Sequence, residues 1–181
     1  TGESPTLEHD EYERLVERAV QIGHGLGLVV VAGTGSNSTA HAVAMQKFAA
    51  RVGADAGLSV NPYYNKPTQE GLYRHFVAVA QASEMPVILY NVPGRSGVGL
   101  TVDTIRRLSE VPGIVAIKDA AGNVDLTSET CATCPNLIVC SADMAAPPPA
   151  QAEGVTTFGR VMAAAAPVFE TVQTMADDTA V

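Results

Sequence analysis

Basic residues are scarce in this 181-residue chain, with 11 Lys and Arg against 19 Asp and Glu and a formal net charge of −8. So acidic a surface argues against nucleic acid or a membrane surface as a principal partner, although one or two placed cations still suffice to hold an anionic substrate. No run of 18 apolar residues occurs, so no segment reads as a membrane span. The opening TGESPTLEHDEYER is polar and acidic, without the basic and apolar regions of a secretory leader. Cysteine is confined to Cys131, Cys134 and Cys140, an odd set that suits a reducing compartment better than a disulfide scaffold. Cys131 and Cys134 spell CxxC, but no second pair or nearby His completes a zinc set. These absences lead to the expectation of a cytoplasmic domain with no metal.

What is present is a core. Apolar residues make up 46% of the chain, enough to fill one domain over residues 1–181. Short, nearly continuous apolar runs predict strands at Leu28–Ala32, Gly57–Val60, Val87–Tyr90, Ile114–Ile117, Leu137–Cys140 and Val155–Phe158. Continuous rather than alternating runs are the mark of strands covered on both faces, as in parallel sheets. Helical periodicity lies between them. Thr6 is expected to cap a first helix with a stripe of Leu15, Val16, Ala19 and Val20. A second helix after Asn37 carries Ala44, Phe48 and Val52, and a third after Thr68 carries Leu72, Phe76, Val79 and Ala80. Thr101 opens a fourth with Ile105 and Leu108 inward, and residues 124–133 form a weaker fifth. Met144–Pro149 holds three consecutive prolines that should break a helix, and Ala163–Asp178 is Ala-rich.

Alternating helices and strands imply right-handed crossovers in a parallel sheet, either open and doubly wound or closed as a barrel. The segment Gly33-Thr34-Gly35-Ser36-Asn37-Ser38 has two glycines of a dinucleotide fingerprint and lacks the third. In parallel α/β folds the strand C-termini share one rim, where active sites lie. Lys118 follows the run IVAI, so either it or Ile117 faces the interior there. It could be a surface strand end, a phosphate-binding point charge or a Schiff-base nucleophile. Tyr90 ends the neighbouring strand, where a phenol could move protons, or could simply be a bonded core hydroxyl. Arg95, in a Pro-Gly-Arg-Ser-Gly loop, suits bidentate capture of a carboxylate or is a solvated loop residue.

Four stretches, AGTGSNSTA (32–40), NPYYNKPTQEGLYRHF (61–76), ILYNVPGRSG (88–97) and IKDAAGN (117–123), resemble the dihydrodipicolinate synthase group of the pyruvate-dependent class I aldolase and N-acetylneuraminate lyase family. The opening Thr1-Gly2-Glu3-Ser4 is similar to the end of that family's GTTGES motif, and the likeness runs to about residue 123. The resemblance implies a (β/α)8 TIM barrel, of which about six strands are counted here, as though cut at the N-terminus and the C-terminus. It implies that pyruvate is held covalently on Lys118, with no other cofactor. The enamine would then condense with aspartate semialdehyde, and the product would cyclise to 4-hydroxy-tetrahydrodipicolinate in lysine and diaminopimelate biosynthesis. Tyr90 would be the acid–base, Thr1 and Tyr64 would complete its relay, and Tyr64 would reach into a neighbouring subunit of a dimer of dimers. Arg95 would bind the second substrate's carboxylate, and Thr1, Gly94 and Thr156 would contact substrate. Alternatives in this family are a 2-keto-3-deoxy-sugar acid or sialic acid aldolase, and outside it a non-catalytic piece of such a barrel.

The same resemblance places an inhibitory lysine site near His9, Asn37, His41 and Tyr63. His41 occupies a position where regulated members commonly carry glutamate, which implies weak inhibition. Two exposed sheet edges, at LVVVA and at Val155–Phe158, are expected to leave an isolated chain of this length marginal and prone to association.

Overall fold

The computed structural model of the chain describes residues 4–141. In chain order the elements are α1 (His9–Gly25), β1 (Val31–Gly33), α2 (Thr39–Arg51), β2 (Ala56–Val60), α3 (Gln69–Ala80), β3 (Val87–Asn91), α4 (Pro93–Ser96), α5 (Val102–Ser109), β4 (Ile114–Asp119), α6 (Val124–Thr133) and β5 (Ile138–Ser141). Short polar side chains start most of the helices. Ser38, Thr68, Thr101 and Asn123 each accept a backbone N–H from the first turn that follows, so donors with no intrahelical partner are satisfied.

The first helix departs from expectation. Thr6 lies in a 3-10 turn, Ser4–Thr6, and Glu8 caps α1 through a reciprocal capping box with Glu11. The buried face of α1 is Tyr12, Val16, Val20 and Gly23, so Leu15 and Ala19 of the expected stripe point outward. Likewise Ala44 is exposed on α2, whose inner face is Ala42, Met45, Gln46, Phe48 and Ala49. Val16, Val20, Met45 and Phe48 pack together and fasten α1 to α2. In α3 and α5 the expected residues Leu72, Phe76, Val79, Ala80, Ile105 and Leu108 are all buried.

All five strands are parallel, and their order in space is their order in the chain. A doubly wound sheet reverses direction at a switch point, and among the described residues no reversal occurs. Sequential parallel strands joined by helices form the arc of a (β/α) barrel. Val87, Leu89, Ile117 and Val139 face the helices and pack with Leu72, Phe76, Ile105 and Leu108. On the other face Ala56, Ile88, Ala116 and Cys140 form a separate cluster. β1 begins later than expected, because the chain turns at Gly27 (φ 70°) and Leu28 is 58% exposed. The expected strand at Val155–Phe158, the triple proline and the Ala-rich tail lie outside the described residues. Among the described residues no helix is long and apolar enough to cross a membrane.

Candidate active site

Register does most of the placing. Val60 pairs with Tyr90 and Tyr90 with Lys118, so three strand ends stand side by side. Successive strand residues point to opposite faces. Ile117 therefore enters the helix-side core, whereas Lys118 turns to the inner face beside Tyr90 and Val60. The choice left open between Ile117 and Lys118 is thereby settled. The Lys118 Nζ lies 4.5 Å from the centre of the Tyr90 ring. Both side chains are partly buried, reachable by a small molecule yet shielded from bulk water.

They open into a cleft of about 600 Å³, whose walls include Gly33, Gly35, Leu58, Val60, Tyr63, Tyr90, Val92, Arg95 and Lys118, with Ser4 and Pro5 at its border. That volume suits a small metabolite. Arg95 reaches the cleft because Pro93 starts the short turn α4 and Gly97, at φ 75°, ends it in a left-handed conformation. Ser96 braces the turn, its one hydroxyl proton shared between the carbonyls of Val92 (3.0 Å) and Val98 (2.7 Å). The guanidinium is exposed at the mouth, while the amine lies deeper.

The Gly33-Thr34-Gly35 turn has a structural reason for its glycines. A Cβ on Gly35 would overlap the backbone nitrogen of Val60, so the turn hugs the end of β2. Thr34 is wholly buried and donates to Gln46 at 2.9 Å. Its partial likeness to a dinucleotide fingerprint thus reflects close packing.

Of the candidate residues, the fold brings Lys118, Tyr90, Arg95 and Tyr63 to one cleft. Tyr64 turns the other way, 89% exposed with a left-handed φ of 69°. Gly94 is exposed on α4, beside Arg95. The His9 and His41 rings lie 5.9 Å apart, His41 Nδ1 is 3.4 Å from Ser36 Oγ, and Asn37 exchanges hydrogen bonds with Asn65. Thr1 and Thr156 lie outside the described residues. The CxxC pair gains no reactive character, since burial raises the Cys131 thiol above its ordinary range and Cys134 is buried.

Sequence reasoning missed the polar residues that follow the cleft-facing residues at the strand ends. Asn61, Asn91 and Asp119 are 0%, 0% and 2% exposed and hydrogen-bonded to one another behind the cleft. The available signal was three successive strands each ending in a polar residue where an apolar one would pack.

The profile of the Dihydrodipicolinate synthetase family matches residues 1–178. The chain is 57% identical over 136 residues, 75% of its length and 46% of the relative's, to the 4-hydroxy-tetrahydrodipicolinate synthase of Dechloromonas aromatica (strain RCB). It is similar to the chloride-inhibited dihydrodipicolinate synthase of Acinetobacter baumannii, solved with pyruvate, at TM-score 0.76 and 38% identity, covering 98% of this chain and 62% of that one. A lysine-bound structure from Cyanidioschyzon merolae aligns at TM-score 0.79 and 34% identity, covering 98% and 61%. The chain spans about half the length of the curated relatives it matches.

Proposed function

This chain belongs to the dihydrodipicolinate synthetase family, and from that premise and the cleft's geometry we propose that it supplies the Schiff-base machinery of a 4-hydroxy-tetrahydrodipicolinate synthase. The observation that carries the reading is the Lys118 amine held 4.5 Å from the Tyr90 ring in a cleft that Arg95 overlooks. The free amine of Lys118 adds to the ketone carbon of pyruvate. The Tyr90 hydroxyl passes a proton to the carbinolamine oxygen, water leaves and an iminium forms. Loss of a methyl proton converts the iminium to an enamine, with the electron pair held by the lysine nitrogen. The enamine carbon then attacks the aldehyde carbon of aspartate semialdehyde, whose carboxylate Arg95 receives through its two-pronged guanidinium. The amine brought in by the semialdehyde then attacks the iminium carbon, closing the ring and expelling the Lys118 amine.

Tyr64 and Thr1 belong to the same proposal as the outer members of Tyr90's proton relay, and Gly94 and Thr156 as substrate contacts. The 89% exposure of Tyr64 suits a side chain that works inside a second copy, as in a homo-oligomer built as a dimer of dimers. The acidic surface and few cysteines support a cytoplasmic setting. Regulation is part of the reading too. The relative from Cyanidioschyzon merolae binds lysine, and we place the equivalent site at His9, Asn37, His41 and Tyr63. Two imidazoles stand there, which a lysine ammonium finds less attractive than a carboxylate.

Borohydride reduction in the presence of pyruvate tests the chemistry. The peptide carrying Lys118 should gain one pyruvate-derived mass, and absence of that adduct overturns the proposal. An adduct without consumption of aspartate semialdehyde would leave a sugar-acid or sialic acid aldolase standing.

A further inference from the structure

Behind the cleft, the residue that follows each of three cleft-facing residues at the strand ends joins a transverse ladder. Val60, Tyr90 and Lys118 face the cleft, and Asn61, Asn91 and Asp119 face away from it. The Asn61 Nδ2 donates to Asn91 Oδ1 (2.9 Å), and Asn91 Nδ2 donates to Asp119 Oδ1 (2.8 Å). The far carboxylate oxygen of Asp119 accepts from the Thr127 hydroxyl of α6 (2.8 Å). The ladder also grips the chain leaving the Arg95 turn. Asn91 Oδ1 accepts the Leu100 N–H (3.0 Å), and Asn61 Nδ2 donates to the Val98 carbonyl (3.1 Å).

The polarity of these bonds is fixed from one end. A carboxylate only accepts, so Asn91 must turn its amide nitrogen to Asp119 and its oxygen to Asn61 and Leu100. A buried ladder with one allowed direction locks its backbone positions more tightly than apolar packing would, because every misplacement strands a polar group. The backbone follows suit: Asn61 N–H donates to the Tyr90 carbonyl (3.1 Å) and Ala120 N–H to the Asn91 carbonyl (2.8 Å).

Resting on the proposed Schiff-base reading, we infer that Asn61, Asn91 and Asp119 are positioning residues that hold the Lys118 and Tyr90 strand ends in register and tie them to the Arg95 loop. They touch no substrate. They act by keeping the amine, the phenol and the guanidinium at fixed separations.

A polarity swap tests this. Asn91→Asp sets two carboxylates face to face and breaks the ladder. Adding Asp119→Asn restores every bond, with the direction reversed only between positions 91 and 119. The amide introduced on β4 donates to the carboxylate introduced on β3, while Thr127, Asn61 and Leu100 keep acceptors. Asn91→Asp should slow pyruvate adduct formation on Lys118 by roughly 10- to 100-fold, the usual penalty for about 1 Å of misplacement. It should also raise KM for the aldehyde, while the thermal midpoint shows the protein still folded. The double variant should recover most of the adduct rate. Should Asn91→Asp not fold, Asn61→Leu, which removes one rung and the hold on Val98, carries the same measurement. Wild-type adduct rates in a folded Asn91→Asp or Asn61→Leu, or no recovery in a folded double variant, overturn the ladder alone. Failure of the unmodified protein to form the adduct overturns the underlying reading and the ladder with it.

Discussion

Thr39 Oγ1 lies 2.9 Å from Nδ1 of His75, an imidazole only 4% exposed, and joins the start of α2 to the middle of α3. Burial pushes the His75 pKa down from its ordinary 6.5 to about 4, because no solvent or carboxylate compensates the charged ring.

This makes stability pH-dependent in a definite direction. Between about pH 6.5 and 4 the unfolded chain binds a proton at His75 that the folded chain refuses. Stability is therefore present above 6.5 and is lost as pH falls through that window, by up to roughly 2–3 kcal/mol. Urea midpoints at pH 7.0, 5.5 and 4.5 should fall progressively. His75→Gln, which cannot titrate, should flatten the part of the slope that His75 causes, and an unchanged slope would refute the assignment.

A second prediction concerns packing beneath the cleft. Gln46 is fully buried, accepts from Thr34, and donates to the Met85 carbonyl at 3.1 Å. A Cβ on Gly57 would overlap its Oε1 and stand 2.7 Å from Thr34 Oγ1. Gly57→Ala should cost about 1–3 kcal/mol, as overpacking generally does. In a Gln46→Ala background the same change should cost clearly less, and urea denaturation of the four proteins measures that coupling.

Arg95 divides the reaction into its two halves. Its guanidinium is assigned to the second substrate, not to pyruvate. Arg95→Ala should therefore raise KM for aspartate semialdehyde by about tenfold or more, the worth of a charge-assisted pair. Adduct formation with pyruvate should suffer far less. Equal losses in both would place Arg95 on the first substrate.

Regulation gives a fourth test. With His41 beside His9, lysine should inhibit weakly, and His41→Glu should lower the inhibitory concentration by supplying a carboxylate for the ammonium. Inhibition curves for both proteins decide it, and strong inhibition of the unmodified protein would refute the assignment.

Much of this architecture was legible from local chemistry. Thr68 and Thr101 marked their helices because a threonine before an amphipathic run has one good use there, and both accept first-turn amides. Glu8 is a weaker cue because hydroxyls are the commoner caps, although its carboxylate with Glu11 does the same work. The run LVVVA misled because apolar character alone cannot separate a strand from the approach to one. The facing of Lys118 was hidden by an irregularity. The register shifts at Val87 and Ile88, and Val115 and Ala116 both lie with the inner face, so counting by twos from Ile114 gives the wrong parity. The Asn61–Asn91–Asp119 ladder went unseen because its members meet only across three strands.

Tyr64 sets conformation against function. Its backbone is held at φ 69°, and its neighbour but one, Lys66, at 47°, in the loop between β2 and α3. A left-handed conformation costs a bulky side chain on the order of 1–2 kcal/mol, and asparagine pays less because its short amide tolerates that region. The ring itself is 89% exposed, and the loop is held around it, by the Tyr64 N–H donating to the Ser96 carbonyl at 3.2 Å and by the hydrogen bonds between Asn65 and Asn37. Such strain persists where a side chain is needed in one direction. Tyr64→Asn keeps the backbone bond and relieves the φ penalty, so the urea midpoint should hold or rise, by up to about 1 kcal/mol of stability. Turnover should nonetheless fall, because the proposed relay to Tyr90 loses its phenol. Tyr64→Phe, which retains the strain and lacks only the hydroxyl, should lose turnover without gaining stability. Full activity in Tyr64→Phe would remove Tyr64 from the relay and leave the strained loop without a catalytic reason.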